Sequence, residues 1–309
     1  MSNCVTMNKE KDHKILITGG SGYVGRVFLD LFQNQCVLSS IDNEYVGNSN
    51  FERLQNVSYF KDDIRNNQLL EKLILENDVI VHLAGIVGDS CPKNPSVSNE
   101  INVSATKKIA EFCKKYDKRL VFMSTCSVYG FNEDMCSEET KPNPLNIYSE
   151  QKIKGEEVIR EIDCNYLIFR MGTVYGWSPR MRFDLGINMF IEKYLWDEPI
   201  QVYGGNQYRP LIHVKDAAKA LFMATEKFDI NGIMNLVGEN YKLIDIAKSI
   251  SSKIEVVDHK DDNRSYIVNN ALIKTKLNWS PKMTINDAIN EFDKVNFQDK
   301  IYYNRLWDY

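Results

Sequence analysis

The chain has 309 residues, 43% of them hydrophobic, with Lys+Arg 38 against Asp+Glu 42 and a net charge of −4. That is enough for one large or two modest cores, and the balance argues against a nucleic-acid-binding surface, which needs a concentrated basic face. No apolar run approaches transmembrane length, the polar start "MSNCVTMNKEKDHK" lacks the apolar core of a signal peptide, and seven cysteines without a CxxC pair predict free thiols in a reducing cytoplasm.

The predicted elements begin at "KILIT" (14–18), read as a buried strand, followed by a Gly-rich turn and an amphipathic stretch over 24–33. In the turn, Gly20-Ser21-Gly22-Tyr23-Val24-Gly25 fits G-x-G-x-x-G, and Gly19, Gly22 and Gly25 also fit G-x-x-G-x-x-G. Glycines there let the backbone approach a pyrophosphate whose charge sits at the helix N-terminus. The next run, "CVLSSI" (36–41), ends at Asp42, placed to accept from a ribose 2′-hydroxyl. That carboxylate would repel a 2′-phosphate, so the predicted cofactor is NAD rather than NADP.

"VSYF" (57–60) leads into "KDDIR", which offers Asp63, with Ile64 beside it, to an adenine amino group. A helical stretch over 67–75 precedes "DVIVH" (78–82), after which "HLAGIVG" brings Leu83, Ala84 and Gly85 beside the dinucleotide. Helical stretches over 97–116 and 148–161 then alternate with the strands "RLVFM" (119–123) and "NYLIF" (165–169). Strand–helix alternation, with strands apolar at nearly every position, predicts an α/β fold: a doubly wound parallel (Rossmann) sheet covered on both faces. Near residue 170 the regularity gives way to Gly-, Pro- and aromatic-rich segments such as "MGTVYGWSPRMRFD". The expected organisation is an NAD-binding Rossmann domain over 1–170 and a smaller, irregular substrate domain mainly over 171–309, with some segments returning to the first. His82 reads as structural, and none of His13, His82, His213 and His259 pairs with a second ligand at metal spacing, so no metal site is expected.

"IYSEQKIKGEE" places Tyr148 and Lys152 four residues apart, which stacks them on one face of a helix. A tyrosine with its ordinary pKa near 10 is only about 0.1% ionised at pH 7, and lowering that pKa by roughly three units takes about 4 kcal/mol. A nearby ammonium and an oxidised nicotinamide ring are causes of that kind. Tyr148 could then remove a hydroxyl proton while hydride leaves to the cofactor. The hydroxyl residues of "MSTCSVYG" stand at a strand end, where they serve either a turn or a substrate oxygen.

Taken together, "TGGSGYVG", "DDIR", "HLAG", "EINVSAT", "STCSVYG", "YSEQK", "FRMGTVYG", "RPLIHVKD" and "LNWSPK" run in order from residue 18 to 282. In this the chain resembles an extended short-chain dehydrogenase/reductase of the nucleotide-sugar epimerase/dehydratase group. The resemblance implies that Thr125 hydrogen-bonds the reacting hydroxyl, that Tyr148 is the base, and that Lys152 is its partner and holds the nicotinamide ribose. It places Asn102 in the cofactor site and Arg209 on the substrate diphosphate, with Arg180, Arg182 and Arg264 as further anion contacts. Thr173 stands where many relatives have Asn. Cys126 and Ser127 stand where 4,6-dehydratases carry an Asp-Glu pair, so dehydration is not expected.

The leading expectation is NAD-dependent oxidation at the 4-position of a nucleoside-diphosphate sugar, by a 4-dehydrogenase or a 4-epimerase. A 4-keto-sugar reductase using the same residues in reverse stays open, as does a non-catalytic dinucleotide-binding member. By resemblance, the stretches 97–116 and 148–161 would pair two chains into a homodimer.

Overall fold

The computed structural model describes residues 13–45, 52–258 and 264–295; His259, among the residues considered above, lies outside them. The first half runs β1 (Lys14–Thr18), α1 (Tyr23–Phe32), β2 (Val37–Asp42), β3 (Val57–Lys61), α2 (Asn67–Glu76) and β4 (Val79–His82). It continues with α3 (Pro95–Asn99), a π-helical turn (Glu100–Ala105), α4 (Thr106–Lys115), β5 (Arg119–Thr125), β6 (Phe131–Cys136), α5 (Ile147–Ile162) and β7 (Asn165–Met171). The second half contributes β8 (Thr173–Tyr175), α6 (Gly186–Leu195), β9 (Ile200–Tyr203), β10 (Tyr208–His213), α7 (Val214–Thr225) and β11 (Gly232–Leu236). It ends with β12 (Glu239–Lys242), α8 (Leu243–Ile250), β13 (Ile254–Val257), β14 (Ser265–Val268), α9 (Ala271–Lys276) and α10 (Ile285–Lys294).

Seven strands form one sheet in the order β11-β7-β5-β4-β1-β2-β3, every pairing parallel. Alternate residues of the central strands supply two cores. Ile15, Ile17, Val79, Val81 and Val121 pack on one face, where Phe32 of α1 stacks on Phe222 of α7 with ring centroids 4.1 Å apart. Leu16, Ile80, Leu120 and Phe122 pack on the other, against α2, α4 and α5. Burial on both faces explains why these strands are apolar at nearly every position. Strand order reverses between β1 and β4, and a sheet wound this way takes its ligands at the carboxyl ends of the strands beside that reversal.

One local feature differs from the sequence reading. The helix expected over 97–116 is interrupted by the π-helical turn, whose Asn102 is fastened to the loop after β4. The segment after 170 supplies α7 and β11 to the large sheet as well as a three-stranded sheet, β12-β10-β8, and two smaller ones.

Behind the strand ends lies a buried ion pair. Arg170 Nη2 on β7 stands 2.7 Å from Glu156 Oε2 on α5, with both side chains 4% exposed. The Ser124 hydroxyl of β5 donates to the same carboxylate, and Arg170 also reaches Tyr129, which is bonded to Asn235 of β11. Removing one partner strands a buried charge. Arg170→Met is expected to destabilise the fold by roughly 3–5 kcal/mol, and the double change Arg170→Met/Glu156→Leu by much less, read as midpoints of urea unfolding.

Candidate active site

The turn between β1 and α1 folds as a concave cradle. Gly19 has φ +78°, the Gly22 N–H donates to the Gly19 carbonyl at 3.1 Å, and the Arg26 N–H donates to the Gly22 carbonyl at 2.9 Å to start α1. A Cβ on Gly25 would lie 2.3 Å from the Gly19 carbonyl oxygen, so only glycine lets the helix begin this close to the strand. Gly22 caps α1 without a side-chain bond, which leaves first-turn N–H groups for an anion. Val24 packs partly buried in that turn. The Tyr23 side chain instead leaves the loop: its hydroxyl donates to the Gly176 carbonyl at 2.5 Å and accepts from Asn188 Nδ2 at 3.1 Å.

At the end of β2, Asp42 accepts from the N–H groups of Ser21 (3.0 Å) and Glu44 (2.7 Å). Burial raises its carboxyl, opposed by those bonds and by the charge of Arg180, a neighbour the fold carries in from far along the chain. Asp63 is gripped by Arg65 through two contacts of 2.9 Å, which hold its carboxyl low, and Ile64 is buried in the core.

After β4, the Leu83 N–H donates to the Thr18 carbonyl at 3.0 Å and the Ala84 N–H to the Thr18 hydroxyl at 3.2 Å. A Cβ on Gly85 would fall 2.9 Å from Asn102 Oδ1 and 3.7 Å from Lys152 Nζ, so bare backbone faces the lysine there. Asn102 accepts from the Ile86 N–H and donates to the Ile86 carbonyl, both at 2.9 Å, and donates to Gln151 of α5 at 2.8 Å. It clamps the strand-end loop to the helix. His82 bridges Thr18 (2.7 Å) and Thr106 (2.9 Å). Because the Thr106 hydroxyl donates to the Asn102 carbonyl, it accepts from Nε2–H, and the imidazole is neutral. Burial, then the Lys152 charge, push its pKa down to about 3, as suits a structural residue.

Tyr148 and Lys152 occupy the first two turns of α5, capped by Asn146, whose Oδ1 accepts the Ser149 N–H at 2.9 Å. Burial pushes the Tyr148 phenol's pKa up to about 12, against the pull of the Arg182 charge and of the Thr125 side chain. Lys152 Nζ donates to the Met123 carbonyl at 2.8 Å and stands 4.7 Å from the Phe122 ring centroid. Thr125 and the Arg182 cation both act on the phenol, while Lys152 is anchored to the strand.

The other residues singled out for substrate divide into two groups. Arg182 pairs with Asp184 at 2.5 Å and reaches Tyr148 electrostatically, while Arg180, whose Nη1 donates to the Met181 carbonyl at 3.1 Å, acts on Asp42. Arg209 on β10 donates to the carbonyls of Tyr208 and Arg264, and Thr173 opens β8 in register with Leu211. Sequence reasoning passed over Cys91, buried with its thiol donating to the Ile86 carbonyl at 3.3 Å and accepting from Asn102 Nδ2 at 3.7 Å. No spacing signal marks it. Among the described residues no cluster of His, Cys, Asp or Glu could hold a metal ion, and no helix is long and apolar enough to cross a membrane.

A glycine cradle at a helix N-terminus, an acid closing the second strand and a tyrosine–lysine pair at the strand ends define a dinucleotide-dependent α/β enzyme. Residues 15–237 match the model of the NAD dependent epimerase/dehydratase family. A "Putative UDP-glucose 4-epimerase" of Methanocaldococcus jannaschii is 31% identical over 294 residues, 89% of this chain and 95% of that protein. A UDP-glucuronate 4-epimerase of Thermodesulfobacterium geofontis is 27% identical over 305 residues, 89% and 93% of the two chains. A solved mutant of UDP-glucuronic acid 4-epimerase from Bacillus cereus, in complex with UDP-4-deoxy-4-fluoro-glucuronic acid and NAD, has a TM-score of 0.82 at 25% identity, with 92% and 99% covered. The chain belongs to the NAD-dependent epimerase/dehydratase family, and its cofactor is NAD. The tight, anion-ready cradle and the carboxylate of Asp42 fit that group.

An unfolded lysine keeps its proton to about pH 10.4, whereas burial lowers folded Lys152 to about 8. Below pH 8 the buried charge therefore costs stability, roughly 3 kcal/mol. Between about 8 and 10.4 the unfolded chain binds the extra proton, so stability rises with pH and the cost is relieved. Lys152→Met is expected to exceed the parent in stability at pH 7, with the advantage fading towards pH 10, in urea unfolding at both pH values.

Proposed function

We propose that this enzyme is a UDP-sugar 4-epimerase, which oxidises the 4-hydroxyl to a 4-keto sugar and restores it with the opposite configuration. The observation that carries this reading is the buried Tyr148 phenol, on which Thr125 and the Arg182 charge act, one helical turn before Lys152, whose ammonium is anchored on the Met123 carbonyl of β5, at the carboxyl ends of the strands. Relatives spanning most of the chain carry names of 4-epimerases acting on UDP-sugars, which supports both the nucleotide and the position.

In this reading bound NAD supplies the hydride acceptor and gives the hydride back. Tyr148 removes the 4-hydroxyl proton and later returns it. Its place in the first turn of α5, at the positive end of the helix dipole, and the charge of Arg182 both favour the phenolate. Thr125 orients the 4-oxygen. Lys152, held by the Met123 carbonyl, is the group for the nicotinamide ribose, with Gly85 and Asn102 beside it. Gly19, Gly22 and Gly25 cradle the pyrophosphate, Asp42 takes the adenine-side ribose and Asp63 the adenine. Thr173, Arg180, Arg182, Arg209 and Arg264 are assigned to the sugar nucleotide, residues 1–170 mainly to the cofactor and 171–309 mainly to the substrate, and α4 with α5 to a homodimer contact.

Elimination of water is not part of the proposal. Cys126 is 1% exposed and its thiol donates to the Arg170 carbonyl at 3.1 Å; burial holds that thiol far above the range of a working acid–base group. Ser127 is no acid either.

Incubation with UDP-, GDP-, CDP- and dTDP-sugars, followed by NMR at the 4-position, tests the reading. The expected product is the 4-epimer of a UDP-sugar, and absence of inversion with every UDP-sugar would sink it. Tyr148→Phe is expected to lower turnover at least 10²–10⁴-fold and Thr125→Ala about 10²-fold, both with NAD binding retained in calorimetric titration.

A further inference from the structure

Tyr23 opens α1, so its backbone belongs to the anion-ready turn, while its side chain is buried against the second half of the chain. The segment it meets, residues 176–188, runs from the end of β8 into the first turn of α6. Two side chains of that segment, Ser178 and Asn188, are fully buried at the contact. The Tyr23 hydroxyl donates to the Gly176 carbonyl at 2.5 Å and accepts from Asn188 Nδ2 at 3.1 Å. From the other side the Ser178 hydroxyl donates to the Tyr23 carbonyl at 2.9 Å and accepts the Arg180 N–H at 3.1 Å. Asn188 Oδ1 accepts the Gly176 N–H at 2.9 Å, so that atom is the amide oxygen, and Nδ2 also donates to the Arg182 carbonyl at 3.0 Å. Both protons of the amide and the single proton of each hydroxyl are thus committed to the contact. Gly176, at φ +106°, has no room for a side chain, because a Cβ would lie 2.3 Å from His213 Nε2. It offers its N–H to Asn188 and its carbonyl to Tyr23. The Tyr23 ring alone would satisfy its apolar surroundings, so what the hydroxyl adds is this tie.

We infer that Tyr23, Ser178 and Asn188 are positioning residues that fasten the segment 176–188 to the phosphate cradle, so that occupation of the cradle by NAD orders the segment carrying Arg180 and Arg182. The inference rests on the reading of those arginines as contacts of the sugar nucleotide. An anion held by the first-turn N–H groups of α1 fixes the backbone of Tyr23. A fixed Tyr23 in turn holds the Ser178 hydroxyl, the Gly176 peptide and the Asn188 amide in one arrangement. The segment is then ordered at the step in which NAD binds, and the sugar nucleotide meets arginines whose backbone is already placed. Each ligand therefore favours the other, by a factor that is the same in either order of binding.

The test is hydrogen–deuterium exchange read by mass spectrometry, on the protein freed of NAD and on the protein loaded with it. In the parent, NAD is expected to slow exchange about tenfold both in the cradle peptide 19–32 and in 176–188, a factor within the usual range of coupling. Tyr23→Phe keeps the ring and removes one bond pair, and Ser178→Ala removes the bond from the other side. In each variant NAD still protects 19–32, while its protection of 176–188 falls below about twofold. Asn66→Ala, which removes the cap of α2 on the Leu69 N–H, retains both protections, and so separates the tie from a general loss of stability. Undiminished protection of 176–188 by NAD in Tyr23→Phe, or no such protection in the parent, overturns the proposal. Calorimetric titration with UDP gives a second readout: NAD loading is expected to tighten UDP binding about tenfold in the parent and not in Tyr23→Phe. Because the exchange measurement needs no nucleotide sugar, Tyr23-dependent protection in a protein that binds no UDP would count against the UDP-sugar reading alone. UDP binding together with protection indifferent to Tyr23 would count against the tie alone.

Discussion

The docking of α5 on the end of β5 is the constraint on which the site depends. One helical turn separates Tyr148, on whose phenol Thr125 acts, from Lys152, whose ammonium meets the carbonyl of Met123 two residues back along the strand. A further turn on, Glu156 takes the Ser124 hydroxyl and Arg170 of the neighbouring strand. Gly155 permits the close approach: a Cβ there would lie 3.1 Å from the Phe122 ring. Reaction geometry is therefore set by rigid elements, which hold groups more closely than loops can.

These contacts are polar, and most are buried, where an apolar side chain would serve stability better. The ammonium of Lys152 is desolvated enough to bring its pKa down to about 8, and the Glu156–Arg170 pair exchanges two solvated ions for one contact. Such arrangements persist where they hold groups in register for function. His82 shows the contrasting solution. Its two threonine partners satisfy a neutral ring, so this polar residue at the end of β4 adds no charge beside Lys152 at physiological pH.

Much of this was legible in the sequence, because the physics involved is local. A parallel strand covered on both faces is apolar throughout, so β1, β4, β5 and β7 stood out; the cradle needs glycine, and Tyr148 and Lys152 share a helix face at a four-residue interval. What escaped depends on contacts across the chain. The π-helical turn sits inside a continuous helical pattern, and only its bonds to Ile86 and Gln151 reveal why the helix widens. β11 is a short run of five residues whose place is set by its pairing with β7, a contact across the chain. The approach of Arg180 to Asp42, and of Arg182 to Tyr148, joins residues that no spacing rule connects. The anchoring of Lys152 on a backbone carbonyl is likewise invisible in a pattern of side chains.

β5 ends at Thr125, whose hydroxyl accepts the Ser127 N–H and so caps a 3₁₀ turn over Cys126–Tyr129. In that turn Cys126 is buried with its thiol on the Arg170 carbonyl, while the Ser127 hydroxyl meets those of Thr125 and Ser149. An acid at 127 would stand in reach of those two hydroxyls. An acid at 126 would be sealed beneath the sheet edge against the Arg170 carbonyl, an oxygen that cannot donate to it, and an unpaired buried carboxylate is strongly disfavoured. Installing a carboxylate pair at 126 and 127 would thus require the strand end to be re-aimed as well as re-lettered. The local backbone, as much as the identity of the two side chains, leaves no carboxylate pair beside Thr125.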